Sequence, residues 1–218
     1  MKRRLVLLGP PASGKGTQGQ LICEKFKLAA PSPGAILRDE LKAKSELGIA
    51  AGKFANEGRL VPDDLIVHLV RRWLDTHDGS FILDGFPRTI GQANAFEQVL
   101  EKRQTPLDTV LSLEADQETI ERRVSRRVVC SICDSSFSIG FHVENVDSPC
   151  PRCGGDLQRR RDDAPEILKA RIEEYRQKTE PLVAYYDKRG LLNRIDANRS
   201  PSVIFADIVH ILSANDSN

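Results

Sequence analysis

The chain is expected to fold as an α/β protein, a central parallel β-sheet flanked by helices. Three observations carry this. Short apolar runs at 5–8, 80–84 and 109–113 have the length of buried strands. Each is followed by a stretch with helical spacing, the alternation that builds a parallel sheet. The first run passes directly into Gly9-Pro10-Pro11-Ala12-Ser13-Gly14-Lys15-Gly16-Thr17, in the strand–glycine loop–helix order of a phosphate-binding loop.

In such a loop glycine permits a tight backbone path, so that successive N–H groups converge on phosphate oxygens. The helix that follows aims its positive dipole end at the same anion, and Lys15 adds a full charge near the β- and γ-phosphates. Gly16 occupies the position at which the strict pattern GxxxxGK[ST] has a hydroxyl, with Thr17 one residue later. The pattern therefore supports a phosphate cradle more than a magnesium-binding hydroxyl. A glycine-rich turn without ligand is the competing reading, and the lysine at this spacing after a strand argues against it.

Composition narrows the class further. The 218 residues suit one domain with insertions or two small ones, and 40% apolar residues can build a core. A formal net charge of +1 gives no general attraction to nucleic acid or to acidic membranes. No apolar run is long enough to span a bilayer, and the four apolar residues after the basic start are too few for a secretion signal. A cytoplasmic location is expected. Of five cysteines, four lie in paired CxxC spacing and Cys23 stands alone. Paired CxxC without a secretion signal favours metal ligation over disulfides, and Cys23 reads as a small buried hydrophobe.

Along the chain, Leu21, Ile22 and Phe26 give the first helix one apolar face. Residues 31–61 carry proline and glycine punctuation and short helical patterns, and read as a small helical insertion. Pro62-Asp63-Asp64 opens a helix with Pro62 in its first turn; Leu65, Leu69, Val70 and Trp73 form its buried face. After the strand at 80–84 a helix spans 89–100, and after the strand at 109–113 another, rich in arginine, spans 116–128. One long amphipathic helix is expected over 163–189, kinked or divided at Pro181. A last strand at 191–195 precedes a closing helix that starts at Ser200-Pro201.

The residues that carry chemistry fall into three groups. Asp84-Gly85-Phe86-Pro87-Arg88 follows a strand at the sheet's carboxyl edge, where α/β proteins bind ligands. Asp84 is placed to hold magnesium through waters, or else caps a turn; Arg88 offers a planar fork for phosphate. Gln92 could read an adenine edge, or could close a capping box with Thr89; the residues alone leave these readings even. Arginine forms the second group: Arg122 and Arg126 lie four apart on one helix face, with Arg123 and Arg127 beside them, and Arg160, Arg161 and Arg171 follow. Arg126, Arg160 and Arg171 converging on one site would suit phosphoryl transfer, whose transition state spreads charge over three oxygens. Arg127, Arg159 and Arg161 are as readily explained as a solvated face.

The third group is Cys130-x2-Cys133 and Cys150-x2-Cys153, sixteen residues apart. Two such knuckles build a tetrahedral four-thiolate zinc site, structural because it leaves no open position. A segment this small has little core and needs its metal. Iron is chemically compatible with the same ligands. His142 lies between the knuckles and reads as a packing or surface residue.

Taken together these residues resemble the adenylate kinase family, in its bacterial form with a long zinc-holding lid. The resemblance rests on GPPASGKGT at 9–17, LDGFPRT at 83–89 with Gln92, and RR at 126–127. It continues in the four-cysteine insertion, RRDD at 160–163, and Arg171 with EEYRQKTEPL at 173–182. It implies a P-loop kinase core at 1–30, 62–127 and 164–218, an AMP-binding insertion at 31–61 and a lid at 128–163. The implied reaction is reversible transfer of the γ-phosphoryl of Mg-ATP to AMP, giving two ADP without a covalent enzyme intermediate, in the service of ADP synthesis and adenine nucleotide homeostasis. It also implies that Gly14, Lys15, Gly16, Thr17, Arg122 and Arg126 hold ATP, and that Arg38, Gly85, Arg88, Gln92, Arg160 and Arg171 hold AMP. Lys15, Arg88, Arg126, Arg160 and Arg171 would serve the phosphoryl in flight. Asp84, with Asp162 and Asp163, would serve magnesium or lid closure. Zinc in the lid and magnesium with ATP are the implied cofactors; a monomer is expected, with ATP, AMP and ADP as its partners.

One stretch departs from the family's pattern. Where Ser-Thr-Gly-Asp is usual before the flap arginine, this chain has Ser32-Pro33-Gly34-Ala35. Pro33 offers no hydroxyl to the acceptor base and Ala35 no carboxylate. AMP is still expected to be the best acceptor, because Gln92 is present. Competing readings are a kinase for another nucleoside monophosphate, a zinc ribbon that binds nucleic acid, and a P-loop hydrolase or switch. The neutral charge and the absence of interleaved aromatics weigh against the second.

Overall fold

The computed structural model describes residues 3–56, 61–77, 79–133, 135–160 and 163–214. Arg161 and Asp162 lie outside the described residues, as do 57–60 of the helical insertion.

The first strand, β1 (Arg4–Leu8), runs into the glycine loop and then α1 (Lys15–Phe26). Two short helices follow, α2 (Pro33–Lys42) and α3 (Glu46–Asn56), and then α4 (Asp63–Thr76), β2 (Phe81–Asp84), α5 (Ile90–Lys102) and β3 (Thr109–Glu114). Next come α6 (Gln117–Arg126) and the small strands β4 (Arg127–Cys130), β5 (Ser136–Ser138) and β6 (Leu157–Gln158). The chain closes with α7 (Pro165–Glu174), a π-helical turn (Tyr175–Thr179), α8 (Pro181–Asp187), β7 (Leu192–Asp196) and α9 (Pro201–Ala214).

The main sheet is parallel, in the order β2-β1-β3-β7. Because successive side chains of a strand face opposite ways, each strand feeds two cores. Val6, Leu8, Leu83 and Val110 pack with Leu69, Val70, Phe96 and Tyr186 of α4, α5 and α8. Leu5, Leu7, Ile82 and Leu111 pack with Ile22, Ile204 and Ile208 of α1 and α9. Burial on both faces explains why these strands read as unbroken apolar runs. The chain adds β2 on one side of β1 and β3 on the other, so its order reverses at the carboxyl end of β1, where open α/β sheets bind ligands.

The segment expected to form the lid carries its own antiparallel sheet, in the order β5-β4-β6, and its own small core of Val128, Cys130, Val143, Cys150 and Leu157.

Four boundaries differ from the sequence expectation. The arginine-rich helix ends at Arg126 instead of 128, because Arg127 and Val128 pair with Ser138 and Phe137 in the lid sheet. The helix expected over 163–189 divides at Pro181 as expected, and the π-helical turn before it makes three pieces in place of two. Pro181 lacks an N–H to continue the ladder, and the turn before it widens so that the Glu180 N–H donates to the Tyr175 carbonyl at 2.8 Å. Pro62 is the cap of α4 and not part of its first turn. Thr89 caps α5 and is not its first residue. Among the described residues no helix is long and apolar enough to cross a membrane.

Candidate active site

The glycine loop leaves β1 at the point where the strand order reverses. A side chain on Gly9 would place its Cβ 2.6 Å from the Leu113 carbonyl oxygen, so β3 lies too close for any other residue. Gly14, at φ 102°, is the cap from which α1 starts, and the helix N-terminus faces the cavity. Lys15 Nζ folds back on the loop and donates to the carbonyls of Gly9 at 2.7 Å and Pro10 at 2.8 Å.

In register, Asp84 of β2 sits opposite Leu7 of β1, which places its carboxylate beside the loop. Burial pushes this carboxyl above its ordinary value, while the charges of Lys15 and Arg88 pull it down. Burial likewise pulls Lys15 down to about 8, against the attraction of Asp84 and with the repulsion of Arg88, Arg171 and Arg127. A cation this desolvated and surrounded by other cations is one that a polyanion would stabilise.

Around the loop opens a cleft of about 1180 Å³, larger than the roughly 300–1,000 Å³ of a pocket for one small ligand. Gly14, Lys15, Gly16, Thr17, Asp84, Gly85, Arg88, Arg122, Arg126, Arg160 and Arg171 all line it. They come from α1, β2 and the loop after it, α6, the end of the lid and α7. Arg126 is exposed, and its guanidinium makes no hydrogen bond among the described residues. Arg88 is turned back by its Nε–H to the Gly85 carbonyl at 2.8 Å. Gly85 itself, at φ 80°, leaves room for that guanidinium.

Three residues expected at the site do not line this cleft: Arg38, Gln92 and Asp163. Arg38 lies on α2 against Gly34. Gln92 is buried in α5 with both ends of its amide engaged: Oε1 accepts from the Arg88 N–H at 2.7 Å, and Nε2 donates to Asp63 at 2.6 Å. Thr89 Oγ1 accepts from the Gln92 N–H at 3.1 Å and donates to Asp63 at 2.7 Å. The capping arrangement is therefore present, extended by Asp63, which the sequence offered only as a first-turn acid. The Ser32-Pro33 departure has a local explanation: Ser32 caps α2 by accepting from the Ala35 N–H at 3.1 Å, and Pro33 takes the first helical position, where no N–H is needed.

Two further arginines act where local spacing carries little signal. Arg127, which could be read as part of a solvated face, is half-buried and grips the carboxylate of Asp163 through two hydrogen bonds. The Asp163 carboxylate is thereby committed to the neck of the lid. Arg123 binds four backbone carbonyls, a role that spacing alone could not signal.

The four cysteines come together, with every Sγ within 4.8 Å of the others. Cys130–Cys153 measures 3.4 Å and Cys133–Cys150 3.7 Å, near the edge of about 3.8 Å expected for a thiolate tetrahedron with zinc–sulfur bonds of about 2.3 Å. The N–H groups of Ile132 and Arg152 each donate at 3.4 Å to the first thiol of their own knuckle, bonds that favour thiolate. The donor set fits one four-coordinate soft metal such as zinc. His142 stays outside it, exposed, with its ring edge-on to Phe137 and Phe141.

Compared with known proteins, residues 7–191 match the family model described as adenylate kinase. An adenylate kinase of Methanothrix thermoacetophila is 40% identical over 211 residues, covering 96% of this chain and 98% of that protein. Adenylate kinases of Clostridium botulinum and Clostridium tetani are each 37% identical, with the same coverage.

Proposed function

Because this chain belongs to the adenylate kinase family, and is with it a nucleoside monophosphate kinase, we propose that it transfers the γ-phosphoryl of Mg-ATP directly to AMP, reversibly, giving two ADP. The observation that carries this reading is the cleft in which the phosphate loop, Asp84 and the arginines Arg88, Arg122, Arg126, Arg160 and Arg171 from four separate segments meet. Its size leaves room for two nucleotides set head to head.

In this reading the loop amides from Gly14 to Thr17 and the Lys15 ammonium hold the ATP phosphates, with Arg122 near its base. Arg88 and Arg38 take the AMP phosphate, and Gly85 gives it room to approach. Gln92, held by Asp63, supports that side. Arg126, Arg160 and Arg171 neutralise charge on the phosphoryl as it moves. The acceptor phosphate is itself the nucleophile, so the protein supplies alignment and charge. Asp84 would hold the magnesium that arrives with ATP, through waters; the ion would draw charge from the phosphates. Closure of the flap at 31–61 and the lid at 128–163 over the core would exclude water, the competing acceptor. The metal in the lid, zinc in this reading, is structural. A cytoplasmic monomer engaged in ADP synthesis and adenine nucleotide balance is the setting we propose.

The test is ADP formation from ATP with AMP, CMP, UMP or GMP as acceptor, alongside a reaction with no acceptor. AMP should be the best acceptor, and ATP alone should be nearly inert. A preference for a pyrimidine monophosphate would move the chain to another acceptor class, a change for which Pro33 and Ala35 provide a specific reason. Rapid ATP loss without acceptor would make it a hydrolase.

A further inference from the structure

Arg123 lies on α6, one residue from Arg122, but its side chain turns under the phosphate loop. Nη1 donates to the carbonyl of Ser13 at 2.7 Å and makes a longer contact with that of Ala12 at 3.5 Å. Nη2 donates to the carbonyl of Ala197 at 2.6 Å and lies 3.4 Å from that of Arg199. A Cβ built on Gly14 would come within 3.5 Å of Nη1. One guanidinium thus joins the last residues of the loop to the segment between β7 and α9. That segment lines the same cleft through Asn198, Arg199, Ser200 and Pro201. It is tied a second time by Gln18 Nε2, which donates to the Pro201 carbonyl at 2.9 Å.

The geometry has a consequence for anion binding. A loop that turns its N–H groups toward a phosphate turns its carbonyls away, and those carbonyls need donors. Only a planar fork with several N–H groups reaches two carbonyl pairs on separate segments at once. The guanidinium is half-buried, and among the described residues no carboxylate pairs with it. Burial and the neighbouring Arg122 both work against its charge, and the charge of Asp116 relieves it only partly. An anion in the loop would relieve it further.

We propose that Arg123, which lines the cleft wall, is a positioning residue for the donor nucleotide: through its bonds to backbone carbonyls it holds the loop and the 197–201 segment in their ATP-receiving arrangement and adds charge beside the cradle. This rests on reading the loop as the ATP cradle. Three variants test it, with KM and binding measured separately for ATP and AMP. Arg123→Met should raise the KM and Kd for ATP by at least about tenfold, leave those for AMP within about twofold, and leave kcat at saturating ATP within about threefold. Arg123→Lys, which keeps the charge but reaches one segment, should recover part of the loss. If Arg123→Met does not fold, the Lys variant still decides. Its ATP-induced rise in melting temperature should be smaller than that of the parent, with the AMP-induced rise unchanged. Equal losses for both nucleotides, or unchanged ATP binding in either variant, would overturn the role. Lys15→Met separates the two levels: normal ATP binding in that variant removes the cradle reading and this inference with it. A defect there beside normal Arg123 variants removes the inference alone.

Discussion

Arg127 and Asp163 close the neck of the lid on itself: the guanidinium of one, at the start of β4, holds both carboxylate oxygens of the other, just before α7. The two side chains are 19% and 8% exposed, so the carboxylate has little water to fall back on and the guanidinium only some. Asp163→Asn strands the guanidinium and should cost on the order of 3 kcal/mol, read as a lower urea midpoint. The double variant Arg127→Met/Asp163→Leu should recover much of that loss. A cycle with no coupling between the two positions would contradict the clasp.

The lid should depend on its metal while the core does not. Metal analysis of the purified protein should give one zinc per chain. Chelation, or Cys150→Ser, should abolish hydrogen-exchange protection at β4 and β6 and leave the amides of β1 and β3 protected. Phosphoryl transfer should fall with the lid. A metal-free protein with a protected lid, or one iron per chain, would count against zinc.

With Lys15 in the proposed cradle, ATP binding should be sensitive to pH. In the free protein its proton is lost near pH 8 in place of the ordinary 10.5, and bound phosphates should restore it. ATP binding should therefore take up a proton above pH 8, and affinity should fall by up to about tenfold per pH unit there. Stability moves the other way. The unfolded chain keeps this proton up to 10.5, so between about 8 and 10.5 it binds more protons than the folded protein. The contribution of Lys15 to stability therefore rises with pH across that window. Calorimetry in two buffers of different ionisation heat measures the proton uptake, and Lys15→Met should abolish it.

The Asp63–Thr89–Gln92 network ties the start of α5 to α4, and in the proposed function it supports the acceptor side. Gln92→Ala leaves Asp63 and the Arg88 N–H without their shared amide and should cost about 1–3 kcal/mol, with a raised KM for AMP and an unchanged KM for ATP. Thr89→Val removes the cap and one of the two donors to Asp63, and should cost about 1 kcal/mol. A Gln92→Ala variant that loses stability but keeps its KM for AMP would confine the residue to capping.

Much of this was legible because it is local. The phosphate loop needs one strand, its glycines and one lysine in sequence, and the paired cysteines announce by spacing alone that four thiols come together. Strands buried on both faces show as apolar runs whatever their neighbours. What was not legible depends on distant partners. Arg123 and Arg127 are adjacent to Arg122 and Arg126 in sequence, but their side chains serve backbone carbonyls and a neck carboxylate 36 residues away. The capping role of Gln92 depends on Asp63, 29 residues earlier, which no local pattern ties to it. The end of α6 is not legible locally because Arg127 and Val128 suit a helix as well as a strand, and only pairing with β5 decides between them.

The central claim is direct transfer between two nucleotides in one cleft, and the stereochemical course at phosphorus tests it most directly. With ATP made chiral at the γ-phosphorus by oxygen isotopes and AMP as acceptor, the account predicts inversion of configuration in the ADP formed. Retention would mean two successive transfers through an enzyme-bound phosphoryl group, and would contradict it.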